Sequence, residues 1–184
     1  MSIASPREVL DFWFKETPPE RWFASDPGFD AAIRSRFEET WRAAREGACQ
    51  SWQHSMEGTL ALIIVLDQFP RNMFRGRAEA FSTDAMARDV ARMALENGFD
   101  LEAPASIRSF YYLPFTHSES LKDQDISLRL TRERLGQDHF SFPYAVRHRD
   151  SIQRFGRFPA RNAALGREST PEERSFLETN PIGF

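Results

Sequence analysis

The sequence predicts an all-α fold in a single domain over residues 1–184, built from about eight helices. Three observations carry that expectation. Apolar residues return at steps of three and four, helix-opening and helix-closing residues flank those runs, and no alternating apolar run bounded by turn residues reads as a strand.

Ser5, Pro6 and Glu8 predict the first helix: a hydroxyl cap, a proline in the first turn, and a carboxylate able to reach back to the cap amide, with the helix running to about Glu16. From Phe29, the positions Phe29, Ile33, Phe37, Trp41, Ala44 and Ala48 fall on one helical face. Met56 to Phe69 is apolar on nearly all sides, which predicts a helix at the centre of a bundle, stopped by Pro70. Ser82 and Thr83 are expected to cap a helix from Asp84 to Asn97 that ends at Gly98. Pro104 to Phe115 predicts a short aromatic helix interrupted at Pro114. Ser118 is expected to open a helix reaching Leu135, with Leu121, Leu128 and Leu135 on one stripe and Gly136 at its end. Tyr144, His148, Ile152 and Phe155 share a face of the next helix, which ends before Pro159. Thr170, Pro171 and Glu173 then repeat the capping pattern of the first helix ahead of a short last one.

Composition bounds the function. A chain of 184 residues lies within the length of one domain, about 100–200 residues, and can bury a core without staples. With 17 Phe and 4 Trp that core is expected to be unusually aromatic. Cys49 is the only cysteine, so an intramolecular disulfide is excluded. Met1 to Glu16 carries an amphipathic pattern rather than that of a signal peptide, and the longest apolar run, Leu60 to Leu66, falls far short of the roughly 20 residues of a membrane span. A soluble cytoplasmic protein with no membrane partner is therefore expected. A net charge of −3 disfavours nucleic acid as a partner, although nine Arg against three acidic residues between Arg129 and Arg167 concentrate positive charge in the last third.

Two loops share one punctuation. Phe69, Pro70, Arg71 and Asn72 are followed by Gly76, Arg77, Ser82 and Thr83; Phe158, Pro159, Ala160, Arg161 and Asn162 are followed by Gly166, Arg167, Ser169 and Thr170. Such a repeat reads as an internal duplication or as two loops meeting one geometric demand.

The runs Leu60 to Gly76, Tyr112 to Gln124 and Ile152 to Thr170 resemble a bacterial protein family known as domain of unknown function 924, and the resemblance spans nearly the whole chain. It implies an all-helical, tetratricopeptide-like stack of antiparallel helix pairs, and it implies no activity. Ala160 stands where that family usually has His, and Thr116 where it usually has Met.

Asp67 lies on an otherwise apolar helix, where a carboxylate needs a cationic or hydrogen-bonding partner, and Arg71, Arg154, Arg157 and Arg161 are the available cations. Together with Asn72 and Asn162 these residues form the candidate ligand-binding set. They read either as a structural ion-pair network or as an anion site, since a guanidinium matches carboxylate or phosphate with two parallel donors.

His117, Ser118 and Glu119 follow the Pro114 kink. Ser118 and Glu119 read as helix punctuation, whereas His117 does not, which makes His117 the candidate catalytic acid or base with Glu119 or Asp67 orienting it. His148 reads as a hydrogen-bonded core histidine. Phe110, Tyr111, Tyr112, Phe155 and Phe158 read as core more readily than as an aromatic groove. No two of the four His stand four residues apart and no phosphate-cradling glycine pattern is present, so no metal site and no cofactor are expected. The leading functional expectation is a recognition module for an acidic small molecule or peptide end. The rival is a hydrolase or transferase acting on an anionic substrate, with His117 as acid or base.

Overall fold

A computed structural model describes residues 3–180, which contain no strand and no helix long and apolar enough to cross a membrane. The chain divides into two compact units, Met1–Arg75 with Glu79–Tyr111, and Gly76–Ala78 with Tyr112–Phe184.

In the first unit, α1 (Pro6–Asp11) opens on the expected capping box: the Ser5 hydroxyl accepts the Glu8 amide at 3.3 Å while the Glu8 carboxylate accepts the Ser5 amide at 2.7 Å. A π-helical turn, Phe12–Glu16, carries it to the predicted end. Asp26 caps α2 (Pro27–Arg45), which buries Phe29, Ile33, Phe37, Trp41 and Ala44. Ala48 is exposed beyond the helix, because the chain turns out of the helical path at Gly47, φ +86°. Ser55 caps α3 (Met56–Ile63), buried throughout from Gly58 to Ile63.

Pro70 does not stop this helix. A π turn, Ile64–Gln68, shifts the hydrogen-bond register, and the helix resumes as α4 (Phe69–Met73) with Pro70 in its first turn. Proline has no N–H to offer the Leu66 carbonyl one turn back, and the Thr83 hydroxyl donates to that carbonyl instead, at 2.6 Å. Thr83 therefore makes no side-chain cap for α5 (Asp84–Glu96), contrary to expectation, and Ser82 turns its hydroxyl to the Glu79 carbonyl. Gly98, at φ +74°, follows α5 as predicted. Short helices α6 (Phe99–Glu102) and α7 (Ala105–Arg108) and a 3-10 turn, Ser109–Tyr111, complete the unit. Its centre is aromatic: the Trp13 ring lies 6.0, 5.7 and 6.1 Å from Phe29, Phe69 and Phe110, and Phe37 stacks on Phe69 at 4.7 Å.

In the second unit Pro114 begins a helical turn rather than interrupting one, as part of α8 (Leu113–Thr116). The next helix, α9 (Leu121–Arg134), departs most from expectation. Leu121 is exposed, and the buried face carries Asp123, Gln124, Ser127 and Thr131 beside Leu130. The reason lies at the end of α8, whose last carbonyls need donors. Gln124 Nε2 supplies them, reaching the Thr116 and Ser118 carbonyls at 2.7 and 2.6 Å. Ser120 rather than Ser118 holds the cap position of α9, and the Ser118 hydroxyl donates to Asp123 at 2.7 Å.

Helix α10 (Phe142–Phe155) packs on α9 and ends at Gly156, φ +68°. A 3-10 turn, Pro159–Arg161, leads to α11 (Pro171–Thr179), which opens on the predicted Thr170–Glu173 capping box. The π and 3-10 turns divide the helical path into eleven α stretches among the described residues, more than the expected eight or so.

Candidate functional site

The stretch after Phe69, helical as α4 rather than the expected loop, places its polar residues in two clusters. Arg71 forks onto Asp84, Nη1 and Nη2 lying 2.9 and 3.0 Å from its two oxygens, and Nη1 lies 3.2 Å from the fully buried Asp67. Burial opposes the Arg71 charge, but Asp67 and Asp84 outweigh it and hold the guanidinium more firmly protonated than usual. Gln68 donates to the other Asp67 oxygen. Asn72 Nδ2 donates to Asp30 at 2.9 Å, and Arg75 grips the same carboxylate at 2.9 and 2.8 Å. Asp67 thus finds a cation four residues along its own helix.

The loop after Phe158 builds a chain of ion pairs around Asn162. Its Nδ2 donates to Ser169 and Glu173 at 3.0 and 3.2 Å, and its Oδ1 accepts Arg167 Nε at 2.9 Å. Arg157 forks onto Glu173 at 2.7 and 2.9 Å. That pair, the Thr170 amide and Asn162 overcome the cost of burial and draw the Glu173 carboxyl down to about 2.

Arg167 forks onto Glu119 at 2.7 and 2.9 Å, and the Phe158 amide donates to Glu119 at 2.8 Å. Burial alone would raise the Glu119 carboxyl; these donors lower it instead. Both candidate catalytic residues therefore sit beside this loop. The Glu119 oxygens are taken up by Arg167 and Phe158, and the His117 carbonyl accepts Arg161 Nη2 at 2.8 Å. The His117 ring is half-buried, its centroid 6.2 Å from that of His148, and His148 is a buried, hydrogen-bonded histidine as expected, its Nδ1 2.8 Å from the Tyr144 carbonyl. Phe110, Tyr111, Tyr112 and Phe158 are core; Phe155 is half-buried.

The arginine-rich last third is therefore largely neutralised. Arg149 pairs with Asp125, Arg154 with Glu172, Arg157 with Glu173 and Arg167 with Glu119, all carboxylates that lie outside the window in which the excess is counted.

Arg154 has a second role. With Arg147, Asp150, Ser151 and Phe155 of α10, and Phe176 and Asn180 at the other wall, it lines a half-open cleft of about 370 Å³. The Arg154 guanidinium lies 4.8 and 5.7 Å from the Phe155 and Phe176 ring centres, and those rings stand 5.0 Å apart. Positions 147, 150, 151 and 154 fall on one stripe of α10. That spacing is visible in the sequence, though the neighbouring apolar stripe dominates any reading of this helix. A second cleft, of about 210 Å³ in the first unit, is lined by Cys49, Leu62, Leu66, Met86 and Val90 among others, and burial there pushes the Cys49 thiol up, away from the reactive thiolate. No group of His, Cys, Asp and Glu among the described residues is arranged to hold a metal ion.

No curated protein matches the chain. A solved structure, that of a protein of unknown function, ATU0120, from Agrobacterium tumefaciens, is similar to it at 40% identity with a TM-score of 0.89, over 95% of this chain and 97% of that one. The model of a family described as bacterial protein of unknown function, DUF924, matches residues 9–181, and the chain belongs to that family.

Proposed function

We propose that the protein is a recognition module for an acidic small molecule or peptide end, and that the cleft between α10 and α11 is its binding surface. The observation that carries this reading is Arg147. It is exposed at the cleft and, among the described residues, has no carboxylate within ion-pair distance; its guanidinium lies 5.9 Å from the centre of the Tyr144 ring. The cleft, at about 370 Å³, falls in the range of small-molecule sites. Of the cations expected to bind ligand, Arg154 lines this cleft, whereas Arg71, Arg157 and Arg161 have structural work in their own loops.

The enzyme reading draws less support, because the groups that would orient His117 are already engaged: Glu119 by Arg167, and Asp67 by Arg71 and Gln68. A tetratricopeptide-like stack remains our reading of the helix pairs, supported by the packing of α9 on α10. We place the protein in the cytoplasm, in keeping with a single cysteine that can form no intramolecular disulfide.

Thermal-shift screening of a carboxylate panel against the wild type and Arg147→Gln tests the binding reading. Carboxylates should raise the melting temperature of the wild type and leave that of Arg147→Gln unmoved, with the two apo proteins melting alike. Equal shifts in both would exclude the cleft.

A further inference from the structure

We propose that the cleft takes a free α-amino acid with a flat side chain, bound as the zwitterion; the proposal rests on the cleft being the binding surface. Its motive is the pairing of charges. Arg154 is already matched by Glu172, whose Oε1 lies 2.9 Å from Nε and 2.8 Å from Nη2, and its guanidinium covers the Phe155 and Phe176 rings. That leaves Arg147 and Asp150, which both line the cleft, are exposed, and have no ion-pair partner among the described residues, each other included. They stand three residues apart on one helix, so their side chains are neighbours about 5–6 Å apart at Cβ.

A ligand that satisfies both must carry an anion and a cation a few bonds apart. An α-amino acid carries them on a single carbon. Its carboxylate meets the Arg147 fork and its ammonium meets Asp150. A phosphate would instead confront Asp150, and a diamine would confront two guanidinium groups.

The rest of the cleft selects the side chain. Phe155 and Phe176, their planes tilted by 56°, and the Arg154 guanidinium over them form an apolar wall with one flat cation, which suits an aromatic ring. Ser151 lines the same cleft with its hydroxyl buried, so the polar contacts open to a ligand there are those of Arg147 and Asp150.

Calorimetric titration with L-phenylalanine and L-tryptophan tests the assignment, alongside N-acetylphenylalanine, phenylalanine amide, alanine and inorganic phosphate. Phenylalanine and tryptophan should bind. Losing the ammonium, the carboxylate or the ring should each weaken binding by about tenfold or more. Asp150→Asn should abolish the preference for phenylalanine over its N-acetyl form, and Arg147→Gln should abolish binding of both, with unchanged circular dichroism. If N-acetylphenylalanine or phosphate binds as well as phenylalanine and still depends on Arg147, the cleft is an anion site and the zwitterion assignment fails. If no probe binds the wild type, the zwitterion assignment fails; if the carboxylates that shift its melting also shift Arg147→Gln, the cleft reading falls with it.

Discussion

The Thr83 hydroxyl donates at 2.6 Å to the Leu66 carbonyl, the acceptor that Pro70 cannot serve, and accepts the Trp41 indole N–H at 3.2 Å. One side chain thus satisfies a buried acceptor and a buried donor. Thr83→Val keeps the shape and strands both, and should cost about 2–3 kcal/mol in urea unfolding, whereas Thr83→Ser should retain most of the stability.

Glu173 makes part of the stability pH-dependent. Its folded carboxyl lies at about 2 against an ordinary 4.5, so the unfolded chain takes up a proton first as pH falls. The contribution is full above about 4.5 and is lost progressively toward about 2. Glu173→Gln should therefore be less stable than the wild type at neutral pH, and the gap between their unfolding midpoints should close across that window. A constant gap would contradict the ion-pair account.

Asn162 holds three partners with one amide, and each would lose one bond if it were shortened. Asn162→Ala should destabilise by about 2 kcal/mol. In a double-mutant cycle with Arg167→Gln the two losses should fall short of additive by more than about 0.5 kcal/mol, because both act through the Asn162–Arg167 contact.

Gly58 is required by close approach, not by backbone angle. A Cβ added there would lie 2.2 Å from the Trp52 carbonyl oxygen, which is backbone and cannot swing aside. Gly58→Ala, normally favourable in a helix, should instead destabilise by about 1–3 kcal/mol, measured by thermal unfolding.

The parts of the fold legible in the sequence are those fixed within a few residues. Both capping boxes and the buried face of α2 up to Ala44 depend on spacing alone and stand where expected. What escaped depends on partners distant in the chain. Pro70 reads as a stop until Thr83 supplies the missing donor, and the polar face of α9 reads as solvent-facing until the carbonyls ending α8 need Gln124. In the candidate site, Asp67 and Arg71 could be paired by their four-residue spacing, but Glu173 as the carboxylate of Arg157 and Asn162 could not, because the intervening loop sets that meeting. Arg147 and Asp150 carried no motif; only the facing wall from α11 marks them out.

The two matching loops differ in one respect that bears on how such a chain can be rearranged. Asn72 reaches back along the sequence to Asp30, whereas Asn162 reaches forward to Glu173. Each loop carries its asparagine within itself but borrows its acid from outside, and from opposite directions. Transplanting one loop in place of the other would preserve the spelling and lose the partner, so the loops are interchangeable as punctuation and not as modules.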